Sequence, residues 1–172
     1  MAESPPLADT GQVARWLFLR LLGVVYLAAF AGLAGQIAGL IGPHGLLPAD
    51  AFLEWARSIY GTAAYRLLPT VFWLKATDGA LEVVCWAGVA LSAALIAGLA
   101  PRAVLGALWL LYLSLSVAGQ DFLSFQWDAL LLEAGLLAAL WAPPGLRLSS
   151  DSSAPSAAVR WLLVFLLFKL MF

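Results

Sequence analysis

The 172 residues are 63% hydrophobic and only 11% charged, with a net charge of −1 and a mean hydropathy of +0.94, which excludes an ordinary water-soluble domain and indicates a polytopic membrane protein. Nine Lys and Arg against ten Asp and Glu leave no basic patch for nucleic acid and no cationic cluster that would read lipid headgroups. The single cysteine, Cys85, lies in an apolar run, so an intramolecular disulfide, a paired-thiol redox motif and a cysteine metal site are all excluded within this chain.

Met1 to Gln12 is polar, contains Pro5 and Pro6, and has no basic stretch ahead of a short apolar core, so an uncleaved first span rather than a signal peptide is expected. A disordered tail is expected over residues 1–15 and a multi-pass membrane domain over residues 16–172. The first span runs roughly from Trp16 to Ile41. Its about 25 apolar residues exceed the about 20 needed to cross hydrocarbon, so it should tilt or protrude. Arg15 and Arg20 at its start can snorkel to the surface. Gly35 and Gly39 form a small-residue pair that is expected to admit another helix closely.

Gly42-Pro43-His44-Gly45 breaks the helix, and Asp50 is a plausible N-cap for the next one. His44, the only histidine, has no second His and no carboxylate cluster nearby, and is read as a solvated turn residue rather than a ligand or proton shuttle. From Ala51 to Tyr60, Phe52, Trp55 and Ile59 recur at helical spacing among Glu54, Arg57 and Ser58, the pattern of an amphipathic helix lying at the interface. Leu67 to Leu74, between Arg66 and Lys75, is too short to cross and is expected to be interfacial or re-entrant.

The second span is placed at about Leu81 to Ala100, with Ala90, Ala94 and Gly98 as a small-residue stripe. Pro101-Arg102 turns the chain into an antiparallel third span, about Ala103 to Ala118. Its Ser114 and Ser116 can bond a carbonyl one turn back.

The fourth span, Asp121 to Trp141, carries the polar residues that need explaining. Gln126 and Glu133 fall two turns apart on nearly one helix face, about 10 Å along the axis, with Asp128 turned away. A carboxylate below the interface costs several kcal/mol unless partnered, so this face should look into the bundle. Two readings stay open: a functional buried polar site, or a structural ion pair between helices. After a polar loop from Pro143 to Val159, Arg160 to Phe172 is apolar except for Lys169. About 13 residues reach only about 20 Å of the about 30 Å of hydrocarbon, so a longer parent protein is expected.

The expected architecture is therefore an all-α, polytopic transmembrane helical bundle of about four full spans and a truncated fifth, with one or two interfacial helices in the first loop. Placing the N-terminus in the cytoplasm puts Arg15, Arg20, Arg102, Arg147 and Arg160 inside and the Asp121 connector outside, with Arg57, Arg66 and Lys75 dissenting in the long first loop, where the rule is weaker. Glu133 would then lie about 9 Å deep from one side and Lys169 about 14 Å from the other, levels that differ by less than about 10 Å. The two are expected to meet, facing the bundle interior.

The blocks Arg20 to Tyr26, Gln36 to Gly42, Gly45 to Ala49, Leu68 to Leu74, Arg160 to Leu163 and Phe168 to Phe172, and above all Phe122-Leu123-Ser124-Phe125-Gln126-Trp127-Asp128-Ala129-Leu130-Leu131-Leu132-Glu133, together resemble the lipase maturation factor family. The likeness extends from about Arg20 to the last residue. It implies a membrane protein, of the endoplasmic reticulum in eukaryotes or the inner membrane in bacteria, that helps secreted lipases fold and assemble. In that family a long lumenal domain implicated in client binding follows the membrane part, and such a domain is absent from this chain. The family more often carries arginine at the position of Lys169, which keeps the charge but alters the geometry.

The resemblance makes a non-enzymatic factor the leading expectation, with the lipid bilayer and client lipases as partners and with no cofactor, metal or catalytic residues assigned. The candidate polar site is Gln126, Asp128, Glu133 and Lys169. The alternative is an intramembrane enzyme, since the family is distantly akin to vitamin K-dependent carboxylase membrane domains. It requires a lipid-sized cavity lined by at least two of Asp128, Glu133, His44 and Lys169. A small carrier or proton relay is a third possibility, weakened by the lack of an internal repeat.

Overall fold

The computed structural model describes residues 7–145 and 157–171, and every regular element among them is helical. Helix α1 covers Leu7–Ala34, α2 Ile37–Ile41, α3 Ala49–Tyr60, α4 Ala64–Leu67, α5 Asp78–Ala97, α6 Pro101–Ala118, α7 Gln126–Trp141 and α8 Ala157–Met171. Helix is already present from Leu7, which corrects the expected tail as far as residue 7; residues 1–6 lie outside the described part. The middle of the expected loop from Pro143 to Val159 lies outside it too, and α8 has begun by Ala157.

Among the described residues, three helical stretches are long and apolar enough to cross a bilayer: Val13–Ala34, Asp78–Ala97 and Pro101–Ala118. Helix α7, the expected fourth span, has 16 residues and reaches about 24 Å, shorter than these three, and the whole remains the helical membrane bundle that was expected. The first span is also shorter than expected. Helix α1 stops at Ala34, where Gly35 and Gln36 form a turn that sets off the short α2.

Each turn has a local cause. Gly98 takes the left-handed conformation (φ 81°) and its N–H reaches back to Leu95 O at 2.9 Å, while Leu99 N reaches Ala94 O, the pattern that closes a helix and frees the chain to reverse. Pro101 then opens α6, where its missing N–H costs nothing. Helix α3 starts at Ala49 after Pro48, so Asp50 sits inside its first turn and is not the N-cap. Thr70 caps the short 3-10 turn Val71–Trp73 by accepting from Phe72 N.

That turn is fastened to α6 through Ser114, whose hydroxyl accepts from Val71 N at 3.1 Å and whose carbonyl accepts from Thr70 Oγ1 at 3.1 Å. Ser114 also donates to Leu110 O one turn back, as its spacing suggests. The segment ahead of α5 therefore dips against the bundle with Phe72 buried. In α3 the packed face is Ala49, Leu53 and Ala56, while Trp55 and Ile59, expected on a single apolar face with Phe52, point outward.

The spans form a ring. Helix α1 lies along α5, α5 against α6, α6 against α7, and α7 returns to α1 through a narrower contact, while α8 rests on the outer side of α7. Close approach depends on glycines whose added Cβ would strike a neighbouring helix. At Gly88 of α5 it would enter the Phe30 ring, and at Gly135 of α7 it would strike Tyr26 Oη. Gly35 and Gly39, expected to serve this role, are exposed, and a Cβ on either meets nothing within 4 Å. They mark the end of α1 and the middle of α2 rather than a helix crossing.

Two arginines tie the end of the ring where α1 begins. Arg20 donates through Nη1 to Ile96 O near the end of α5, and Arg102 donates through Nε to Ala142 O, 2.8 Å away, just past α7. Both satisfy carbonyls that a helix end leaves open, with cations placed at the negative pole of the helix dipole.

A Leu at Gly135 should overpack the α1–α7 crossing and cost about 1–3 kcal/mol, whereas Ala at the open Gly32 should be neutral or add up to about 1 kcal/mol. Thermal unfolding of both variants in one detergent checks the contrast, and equal melting temperatures would refute the assigned contact.

Candidate functional site

The inward face of α7 carries Asp128, Leu131, Gly135 and Ala138, all buried. This corrects the sequence expectation, which turned Gln126 and Glu133 inward and Asp128 away. Gln126 opens α7 exposed, and Glu133 is turned toward α8. Helix α7 begins at Gln126 after the 3-10 turn Gln120–Leu123, and the bond from Tyr112 holds it rotated with Asp128 against α6.

Asp128 is 3% exposed. Its Oδ1 accepts from Tyr112 Oη of α6 at 2.5 Å, and its Oδ2 accepts from Phe125 N at 3.3 Å, so one carboxylate both joins two helices and caps the start of its own. One turn further along, Tyr26 of α1 donates through Oη to Leu131 O at 3.3 Å. The rings of Tyr26, Phe30 and Tyr112 stack around these bonds, Tyr112 standing edge-on to the other two at 6.0 and 5.6 Å between centroids. Two tyrosines from neighbouring helices thus hold α7 by polar contacts within an apolar core.

Tyr26 and Tyr112 were not singled out from the sequence. The signal was present nevertheless: a phenol inside a membrane span has no water to bond and must find an acceptor on a neighbouring helix.

The remaining candidates lie elsewhere. Lys169 Nζ of α8 is 2.6 Å from Glu133 Oε1, with side-chain exposures of 38% and 43%. The two charges meet, but on the outer α7–α8 seam rather than in the bundle interior. This ion pair joins α8 to the ring. His44 stands exposed in its turn. Cys85 is buried and free. Among the described residues, no three of His, Cys, Asp and Glu gather to hold a metal ion.

Beside Asp128, α1 and α7 diverge and leave a cleft of about 390 Å³. Val25, Ala29 and Gly32 form one wall, Trp127 and Leu131 the other; Gln36 stands at one end and Tyr112 with Asp128 at the base. Of the four groups from which the enzyme reading requires at least two, Asp128 alone lines it.

Replacing Tyr112 with Phe removes one hydroxyl and leaves the Asp128 carboxylate short of a donor in a buried site. The expected loss is about 1–3 kcal/mol of stability. It is read as a lower melting temperature in detergent, and an unchanged value would show that the Tyr112–Asp128 bond does not hold α7.

Comparison with known proteins places this bundle. A family model described as the lipase maturation factor transmembrane domain matches residues 13–172. The chain is 42% identical over 170 residues to Lipase maturation factor 2 of Gallus gallus, an alignment covering 92% of this chain and 23% of that protein. It is 40% identical to Lipase maturation factor 2 of Homo sapiens, covering 92% and 24% respectively. With Lipase maturation factor 1 of Mus musculus the identity is 33%, over 99% of this chain and 32% of the relative. The chain thus spans about a quarter to a third of the length of these relatives. No solved structure matches it.

Proposed function

We propose, from the premise that this chain belongs to the lipase maturation factor family, that it is the membrane-embedded part of a factor that assists the folding and assembly of secreted lipases. The observation that carries this reading is the extent of the family match. It runs from residue 13 to residue 172 and takes in the whole helical ring, including the Asp128 helix that its tyrosines hold. The ring's polar contacts join helices to one another, which suits an anchor that holds a client-binding region at a fixed height and orientation on the membrane. No observation favours the enzyme alternative: Glu133 and Lys169 neutralise each other away from the cleft, and His44 lies in an exposed turn.

The full-length protein, co-expressed with a secreted lipase in a host lacking such a factor, should raise the specific activity of the secreted lipase severalfold. Unchanged specific activity at equal secreted amounts would overturn the assignment.

The proposal includes an orientation. Arg20 and Arg102 cap helix ends at the pole of the ring where α1 begins, and Asp121 lies in the connector at the other pole. By the count of Arg15, Arg20, Arg102, Arg147 and Arg160 against Arg57, Arg66 and Lys75 of the long first connector, where the rule is weaker, the arginine pole and the N-terminus face the cytosol. The membrane is that of the endoplasmic reticulum in a eukaryote and the plasma membrane in a bacterium. In a Cys85→Ser background, a membrane-impermeant maleimide applied to intact bacterial cells should label Asp121→Cys and leave Pro144→Cys unlabelled until the membrane is opened. The reverse pattern would invert the orientation.

A further inference from the structure

The cleft between α1 and α7 has a composition that a packing defect would not have. Its walls are aliphatic, at Val25, Ala29, Gly32 and Leu131, but its base holds a carboxylate that is 3% exposed. A carboxylate offers about four acceptor positions, and Tyr112 Oη and Phe125 N take one each. Among the described residues, no Lys, Arg or His nitrogen lies within salt-bridge distance of Asp128. Buried carboxylates are ordinarily matched by a cation or by a full set of donors. Asp128 is among the residues that line the cleft.

The surroundings select the class of ligand. Val25 and Gly32, which line the cleft, are exposed on a stretch of α1 apolar enough to cross a bilayer, so lipid chains can reach it from that side. Trp127, beside Asp128, is 67% exposed at the start of α7, the position of an interfacial tryptophan, which sets the carboxylate near headgroup level with Leu131 and Val25 deeper. The volume falls within the range of small-molecule sites.

We propose that this cleft binds a lipid bearing a primary ammonium group, with the ammonium on Asp128 and the chain between Val25, Ala29 and Leu131. A primary ammonium supplies both the missing charge and N–H donors. A quaternary head carries the charge without a donor, and a purely anionic head is repelled. The site stands apart from the maturation role, since no part of it involves a client.

The test is native mass spectrometry of the full chain in a nonionic detergent, with phosphatidylethanolamine, phosphatidylcholine and phosphatidylglycerol added in equal amounts. Phosphatidylethanolamine adducts should exceed phosphatidylcholine adducts about tenfold, the effect of one charge-assisted hydrogen bond. Sphingosine, an ammonium lipid without phosphate, should compete with it; failure to compete would overturn the proposal by tracing retention to the phosphate. Asp128→Asn should bring phosphatidylethanolamine down to the phosphatidylcholine level. Gly32→Leu, at a position where a Cβ meets nothing within 4 Å, should fill the cleft without touching the carboxylate and abolish the preference. If the Asn variant does not fold, the Leu variant decides alone. Equal retention of all three lipids, a preference for phosphatidylglycerol, or selectivity that survives Gly32→Leu would overturn the site.

Discussion

A hydrogen-bonding group inside hydrocarbon has only protein to bond to, and α7 is where this chain meets that constraint most directly. Its first turn carries Asp128, which would be prohibitive facing lipid and becomes tolerable against Tyr112 Oη at 2.5 Å. Tyr26 adds a second bond to the same helix, at Leu131 O. A rotation of α7 by half a turn would turn the carboxylate away from Tyr112 and leave both phenols without acceptors. The polar contacts therefore set the rotation of α7, and glycines set its distance, since Gly135 lets Tyr26 reach it.

The rest of the ring follows from that placement. With α7 drawn to α6 along its length and to α1 only around Tyr26, the two outer helices close at one level and part at another, which opens the cleft beside Asp128. At the opposite pole Arg102 reaches Ala142 O and Arg20 reaches Ile96 O, so cations serve as caps for helices other than their own. Outside the ring, α8 rests on α7 and is joined to it by the Lys169–Glu133 pair. A pair nearly half exposed is ordinarily weak in water, but against lipid each charge is held by the cost of leaving the other. A rigid ring with an outer helix attached by charge is compatible with an anchoring role.

Membrane class, the helical character of every element, the antiparallel return at Pro101 and the lone solvated His44 were all legible from residue type alone. Each depends on a local property: hydropathy over a window, a proline's missing N–H, or a histidine without neighbours. The meeting of Glu133 with Lys169 was legible for a related reason. Depth in a membrane is counted along the helix, and two opposite charges at similar depth have few other partners. Which face of α7 looks inward was not legible. Helical spacing relates Gln126, Asp128 and Glu133 to one another without a reference direction, and the reference was supplied by Tyr112, which lies 16 residues earlier on another helix. The Gly35–Gly39 pair misled because small-residue spacing signals a possible close approach, whereas the chain bends at Gly35 and leaves both residues exposed.

The sequence by itself determined the solvent in which this protein folds, the helices that solvent imposes and the number of charges that must find partners, because each depends on composition and short-range pattern. Only the tertiary structure decided that Asp128 is the buried carboxylate, that Tyr26 and Tyr112 hold its helix, and that α1 and α7 part beside it. Helix rotation and separation are fixed by contacts between distant segments, and no local stretch of chain encodes them.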